Sequence, residues 1–512
     1  MLPLVPFLLA TVTAAAWLVT YRRGHALAAR WVGLAGNGLV LVAALALPDV
    51  AAMTTPLLNN GGVPLAWDQV SRWGAATLAL AAMAHQATPR EELRAIPETL
   101  LVAVALLCLA AGNARWLAIT MGLVCVTVIW VEGSLPAGSR SPFAVPGLAA
   151  ILVSLGMLGL FSAWHLQVGS LAAPFWMVVI AVFGQAFGSL LLGYPALRWP
   201  TIATLTVTAA LILQRVYSPV SISPTAYPLS LVIGGVAVLS AGSSAALWGP
   251  RGRALDALYS LSFGAALLAM RLDGSAGVAT PVLALLGAVL SYSSLVALER
   301  AEGNGWYALP RVVAVGALAG LIPGPLLAVR WRVLAATLAL GDGWLALWQM
   351  LAAVLACWVA ALLLAPWLLQ LRRTVRPTDW VAWGLGAFLS TVTVVLGVAP
   401  ALLGQGLGWF GSPSDRPIMS LVLTMLPMVL AVGLAFWPVA LRAQARASSW
   451  RWQVRPVWQG AWEALLLGAD RGQQVAARLL YLALRTLEER FIIIWGLLCV
   501  LTLLLVALES GL

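Results

Sequence analysis

The residues of this chain that could do chemistry are few and widely spaced. Six ionisable side chains fall inside or at the margins of long apolar stretches: His165, Arg215, Asp256, Glu299, Arg330 and Arg332. A charge in such a place costs about 3 kcal/mol unless it is paired or hydrated, so each is a candidate for an ion pathway. His165 sits near the end of its stretch, which suits an interfacial position. Asp256 and Glu299 also lie near predicted ends, where a side chain can either bend toward the headgroups or line a path. Arg330 differs. It follows Gly320-Leu321-Ile322-Pro323-Gly324-Pro325, a run that breaks a helix, and a cation beside a broken helix is an arrangement used to handle ions at membrane depth.

Other chemistries find no residues to carry them. His25, His85 and His165 are dispersed, so neither a paired-histidine metal site nor a nucleophile triad is expected. Cys108, Cys125, Cys357 and Cys499 lie far apart in apolar segments and show neither metal spacing nor a disulfide framework; they read as buried thiols. The 47 glycines fall in apolar runs and turns, where close helix packing is their use, and no phosphate-cradling loop follows a strand. No catalytic residue, metal or cofactor is expected.

The elements that must hold these residues are membrane spans. The 512 residues are 62% hydrophobic and 9% charged, far below the quarter or so of charged residues in a soluble protein. Apolar stretches of about 18 residues recur from end to end, each able to cross about 30 Å of hydrocarbon. They predict an all-α polytopic bundle of about 14–16 spans. Candidate spans lie at 3–21, 27–53, 73–87, 98–113, 115–131, 145–166, 171–193, 200–217, 227–248, 254–271, 275–298, 310–336, 344–369, 379–403, 416–441 and 490–510. The first starts apolar from Leu2 without a cleavage site, and reads as a retained span rather than a signal peptide.

Charge orients the bundle. Net charge is +11, and every one of the 29 basic residues is arginine. They gather in short loops after odd-numbered spans, such as Arg22, Arg23, Arg251, Arg253, Arg372 and Arg373, and are sparse after even-numbered ones. That alternation places the odd loops in the cytoplasm and both termini on the other side, as in a bacterial inner membrane protein. It also explains the basic balance without nucleic acid, which is not an expected partner. Residues 448–489 are too polar to span: Trp450, Trp452, Trp458 and Trp462 alternate with Arg451, Arg455, Arg471 and Arg485. They suit a helix lying in the headgroup plane, interrupted near Gly468 and Gly472.

Four segments now carry a resemblance. The run from Gly320 to Trp331 is similar to the pattern G-L-P-P-x-x-G-F-x-x-K-W, with Gly320, Leu321, Pro323 and Trp331 in register, Pro325 after the break and Arg330 at the terminal lysine. Pro200-Thr201 through Tyr217 resembles P-T-P-V-S-A-L-L-x-x-x-L-L-K-A-G-V-Y without a gap. Tyr259-Ser260 resembles the L-K-R-L-L-A-Y-S-S entry to a span, and Gly184-Gln185-Ala186 resembles a G-K-A at a first broken helix. Together they resemble the antiporter-like subunits of respiratory complex I, Mrp antiporters and membrane-bound hydrogenases. The resemblance covers residues 100–370, and the ends by architecture only. It implies inverted repeats, broken helices near 186–195 and 320–325, a lateral helix before the last span, and a hetero-oligomeric complex of membrane subunits.

The departures concern function. In that family, lysines, a glutamate and a histidine pass protons along the membrane midplane. Here Gln185 replaces the G-K-A lysine, Leu213 falls on the L-L-K-A-G-V-Y lysine, and Met121-Gly122 fall on a tryptophan–glutamate pair. The P-L-H-x-W-L-P-D-A segment shortens to Leu190–Pro195 without its histidine. Arginine stays charged and is a poor proton carrier, whereas burial can tune a lysine. Three readings follow: a degenerate subunit with a structural or weakly conducting role, an active proton- or sodium-translocating subunit, or an unrelated transporter or membrane enzyme. The ion-pathway candidates are Arg330, Glu299, Asp256, Gln185 and His165; Pro195, Pro200, Gly320, Pro323, Pro325, Trp331 and Tyr259 carry the motifs. The expected divisions are N-terminal spans at 1–97, a core at 98–370, further spans at 371–447, the surface helix at 448–489 and a last span at 490–512. Expected partners are other membrane subunits, lipid, and protons or sodium.

Overall fold

A computed structural model describes residues 2–48, 65–87, 95–112, 114–133, 199–212, 251–269, 274–299, 305–340, 343–370 and 376–398, with residue 301 and four single positions between 422 and 429. The surface helix expected at 448–489, the last span, and the first break at 186–195 lie outside the described residues. So do His165, Gln185, Pro195 and Leu213.

The fold is an all-α membrane bundle. Its described helices are α1 Val5–Arg22, α2 Ala26–Ala46, α3 Gln69–Gln86, α4 Ala95–Leu109, α5 Ala114–Gly133, α6 Trp199–Ile212, α7 Arg251–Ala269, α8 Gly274–Glu299, α9 Leu309–Leu318, α10 Pro325–Leu340, α11 Gly343–Gln370 and α12 Trp380–Val398. Each matches an expected span within a few residues, except that α2 stops at Ala46 and the stretch read at 310–336 is divided into α9 and α10. The stretches Leu2–Arg22, Leu27–Ala46, Thr280–Glu299 and Trp380–Gly397 are long and apolar enough to cross a membrane.

The helices sort into two compact units. The first holds α1, α2, α4, α5 and α3 as far as Ala79; the second holds the rest of α3 and α6 to α12. In the first, Gly24 (φ 82°) turns α1 back along α2. Trp17 and Leu18 pack on Ala29, and Gly36 lies against Thr13, where any β-carbon would collide. Thr11, Thr13 and Thr20 return their hydroxyls to carbonyls four residues earlier, at 2.7–2.8 Å, so a polar side chain is satisfied inside its own helix. Asp68 caps α3 by accepting the Ser71 amide at 2.8 Å. Arg72 donates to the Leu47 carbonyl at 2.8 Å and so closes the end of α2. An isolated antiparallel bridge, Leu65 to Ala111, ties the approach of α3 to the end of α4.

The second unit is built around α8, which packs against α6, α7, α9, α10 and α12 and is 89% buried over its apolar stretch. Its outer faces are apolar as well. Trp344, Leu347 and Leu351 on α11, and Trp380, Phe388 and Val395 on α12, are exposed on surfaces suited to lipid or to another apolar chain.

A broken helix with a buried arginine

The interruption at 319–324 is a closed structure. Past the end of α9, Gly320 adopts φ 63°, a left-handed conformation that side chains disfavour. The Gly320 amide then donates to the Ala317 carbonyl at 3.0 Å and the Leu321 amide to the Gly316 carbonyl at 2.7 Å. This is the paired cap of a Schellman motif, and it satisfies carbonyls that would otherwise be stranded in an apolar interior. Pro325 opens α10, where a missing N–H costs nothing.

Three glycines make room for the break. A β-carbon on Gly287 of α8 would lie 2.5 Å from the Pro325 side chain. One on Gly316 of α9 would strike the Ile322 side chain, and one on Gly397 of α12 would strike the Gly324 backbone. Pro323 is exposed, whereas Gly324 and Pro325 are buried.

Arg330, one turn into α10, is 8% exposed and reaches back over this cap. Its Nη1 donates to the Gly320 carbonyl at 3.3 Å, and the guanidinium covers Gly320 so closely that a β-carbon there would lie 3.1 Å from Cζ. The buried Cys357 thiol of α11 is its side-chain neighbour. Among the described residues no carboxylate pairs with it. Trp331, the next residue, points outward at 44% exposure.

The other candidates lie elsewhere. Glu299 ends α8 and is exposed, and Asp256 is in the first turns of α7. Pro200 and Tyr259 are brought together through their helices. The fully buried Tyr259 hydroxyl lies 2.7 Å from Thr206 of α6, and its ring packs edge-on to Trp199 and Tyr292 at 5.8 and 5.1 Å. Among the described residues no group of three histidine, cysteine or acidic side chains could hold a metal.

Sequence reasoning missed a buried serine network. Ser294 of α8 donates to the Gly386 carbonyl at 2.8 Å and lies 2.7 Å from the Ser390 hydroxyl of α12, which reaches the Pro310 carbonyl at 2.8 Å. It ties α8 and α12 to the start of α9, one helix length ahead of the break. The serines are 96 residues apart, so no spacing rule joins them. The hint was a cluster of small hydroxyls, Ser291, Ser293 and Ser294, in an otherwise apolar helix.

No family's sequence profile matches the chain, and no curated protein matches it by sequence. Its fold is nonetheless shared with solved membrane complexes. A chain of the Mrp complex from Dietzia sp. DQ12-45-1b superposes over 100% of this chain with a TM-score of 0.65 and 14% identity. This chain spans 63% of the length of that one. A chain of the membrane-bound sulfane sulfur reductase, an archaeal respiratory membrane complex, matches over 84% of this chain and 99% of its own, at a TM-score of 0.61 and 13% identity. A chain of respiratory complex I from Thermus thermophilus matches over 80% of this chain and 100% of its own, at 0.57 and 16%.

Proposed function

We propose that this chain is an antiporter-like subunit of a multi-subunit membrane complex, and that it serves there as a structural or weakly conducting member. The fold shared with chains of the Mrp complex, the sulfane sulfur reductase and complex I supports the first half of this reading. The observation that carries the second half is Arg330. At the helix break, where the resemblance implies a lysine that exchanges protons, stands a guanidinium bonded to the Gly320 carbonyl. An arginine holds its proton across the working pH range, so it fixes a charge and does not relay one. Gln185, Leu213 and Gly122 extend the pattern, each standing where the resemblance implies a titratable side chain.

In this reading Glu299, Asp256 and His165 lie off any proton line, the arginine-rich loops face the cytoplasm, and residues 448–489 strap the chain to its neighbours. Redox chemistry, where the complex has it, belongs to other subunits. The test is reconstitution of the purified chain in liposomes with an imposed proton or sodium gradient. Flux should stay at or little above the level of protein-free liposomes. Robust flux that Arg330→Ala or Glu299→Gln abolishes would establish active translocation instead. Purification in mild detergent should bring other membrane subunits with the chain, and a chain that purifies alone would count against the assembly.

A further inference from the structure

Three helices of the second unit have their ends tied together. The apolar stretch Thr280–Glu299 of α8 stops there, α9 starts there at Leu309, and the stretch Trp380–Gly397 of α12 begins there. The Thr378 amide donates to the Ala301 carbonyl at 3.0 Å, Trp383 Nε1 donates to the Tyr307 carbonyl at 2.9 Å, and Arg311 turns inward to the Leu298 carbonyl. Tyr307, Trp380 and Trp383 pack edge-on to one another, with ring centroids 5.6–5.8 Å apart. Trp380 nonetheless stays 53% exposed, and Trp306, next to Tyr307 in the chain, is 80% exposed. Exposed tryptophans at the ends of spans belong where hydrocarbon gives way to headgroups. Arg376 is exposed and has no hydrogen-bond or ion-pair partner among the described residues. Four residues of chain hold its Cα within about 14 Å of that of Trp380. The nearby Asp379 carboxylate caps α12, accepting the Val381 and Ala382 amides at 3.0 and 3.1 Å. In sequence, the segments 299–311 and 371–380 that meet here carry five arginines against three carboxylates.

We propose that this end of α8, α9 and α12 binds an anionic phospholipid, with Arg376 on the headgroup phosphate and Trp306 and Trp380 against the glycerol and upper acyl chains. An amphiphile matches the surface: a free guanidinium stands beside exposed aromatic rings at the boundary of an apolar stretch. A free phosphate would take the guanidinium and leave the tryptophans bare. A zwitterionic lipid would bring its own cation to a surface already in excess of arginine, whereas a net negative headgroup complements it. The rings of Trp380, Trp383 and Tyr307 are already held against one another, so little side-chain freedom is lost when a lipid settles on them. The site rests on the ends of the spans and not on the helix break, so it stands whether or not the chain conducts.

Native mass spectrometry of the full chain in mild detergent, with equimolar phosphatidylglycerol and phosphatidylcholine of the same acyl chains, tests this. The first lipid retained should be phosphatidylglycerol by about fivefold, the preference one arginine near a headgroup supplies. Arg376→Gln should bring the ratio close to one. Trp306→Ala should lower retention of both lipids severalfold and leave their ratio, because it removes apolar contact and no charge. Arg23→Gln, at the exposed turn between α1 and α2, is the charge-matched control and should change neither quantity. Equal retention of the two lipids by the unaltered chain would overturn the proposal, as would a preference that Arg376→Gln leaves intact or that Arg23→Gln reduces as much. A protein subunit seated on this face instead would give the first of those results. Arg376, Trp306 and Arg23 are all exposed, so each variant should fold as the parent does.

Discussion

Two neighbouring segments of the second unit contain prolines and end differently. In α8, Pro281 sits inside a helix that continues unbroken from Gly274 to Glu299. Between α9 and α10, Pro323 and Pro325 accompany a complete interruption. A proline removes one amide and crowds one carbonyl, which a membrane helix tolerates where neighbours supply other bonds. An interruption needs more: a residue able to adopt positive φ, a cap for the stranded carbonyls, and space for the turn. Gly320 meets the first need, the Schellman pair the second, and Gly287, Gly316 and Gly397 the third. The lesson is that a break at membrane depth is a packed tertiary object, and proline alone does not make one.

Substitutions can break that contrast, beginning with the largest effect. Gly397→Leu places a side chain on the Gly324 backbone, which cannot rotate away, and should cost 3 kcal/mol or more, at about the upper end of overpacking penalties. Thermal unfolding in detergent should show it as a lost or much earlier transition, and near-parental stability would show that the turn shifts freely. Gly320→Ala forces a β-carbon into a left-handed conformation beside the guanidinium, at about 1–2 kcal/mol. Its melting temperature should fall clearly, but less than that of Gly397→Leu.

Arg330→Met tests whether the cap requires a cation. The long hydrogen bond to the Gly320 carbonyl, the contact with Cys357 and some packing are lost, about 1 kcal/mol, while flux through reconstituted liposomes should not change. A variant with unaltered stability and altered flux would move Arg330 from the frame of the protein to its transport machinery. The smallest effect belongs to Pro281→Ala. Restoring an amide within a helix that is already continuous should stabilise it by up to about 1 kcal/mol, since neighbouring contacts have absorbed most of the proline's intrinsic cost. A marked loss of stability would mean that Pro281 shapes α8 after all.

Most of the helical framework was legible locally. Length and apolarity located α1, α3, α5, α7, α8, α11 and α12 within a few residues, because membrane thickness and internal hydrogen bonding leave a chain little choice. The break was legible too, since Gly320, Pro323, Gly324 and Pro325 are a local signal of chain geometry. What surrounds the break was not. Gly287, Gly316 and Gly397 look alike in the sequence, and only their approach to Pro325, Ile322 and Gly324 shows what each is for. Arg330 declared itself as a charge out of place, yet its partners, the Gly320 carbonyl and the Cys357 thiol, lie on a backbone turn and on another helix. Ser294 and Ser390 meet across 96 residues, a contact recognisable only once the helices are packed. The spans follow from solvent, a condition applied to each segment alone. The cap, the glycine contacts and the polar partners follow from packing between segments, a condition that no segment carries by itself.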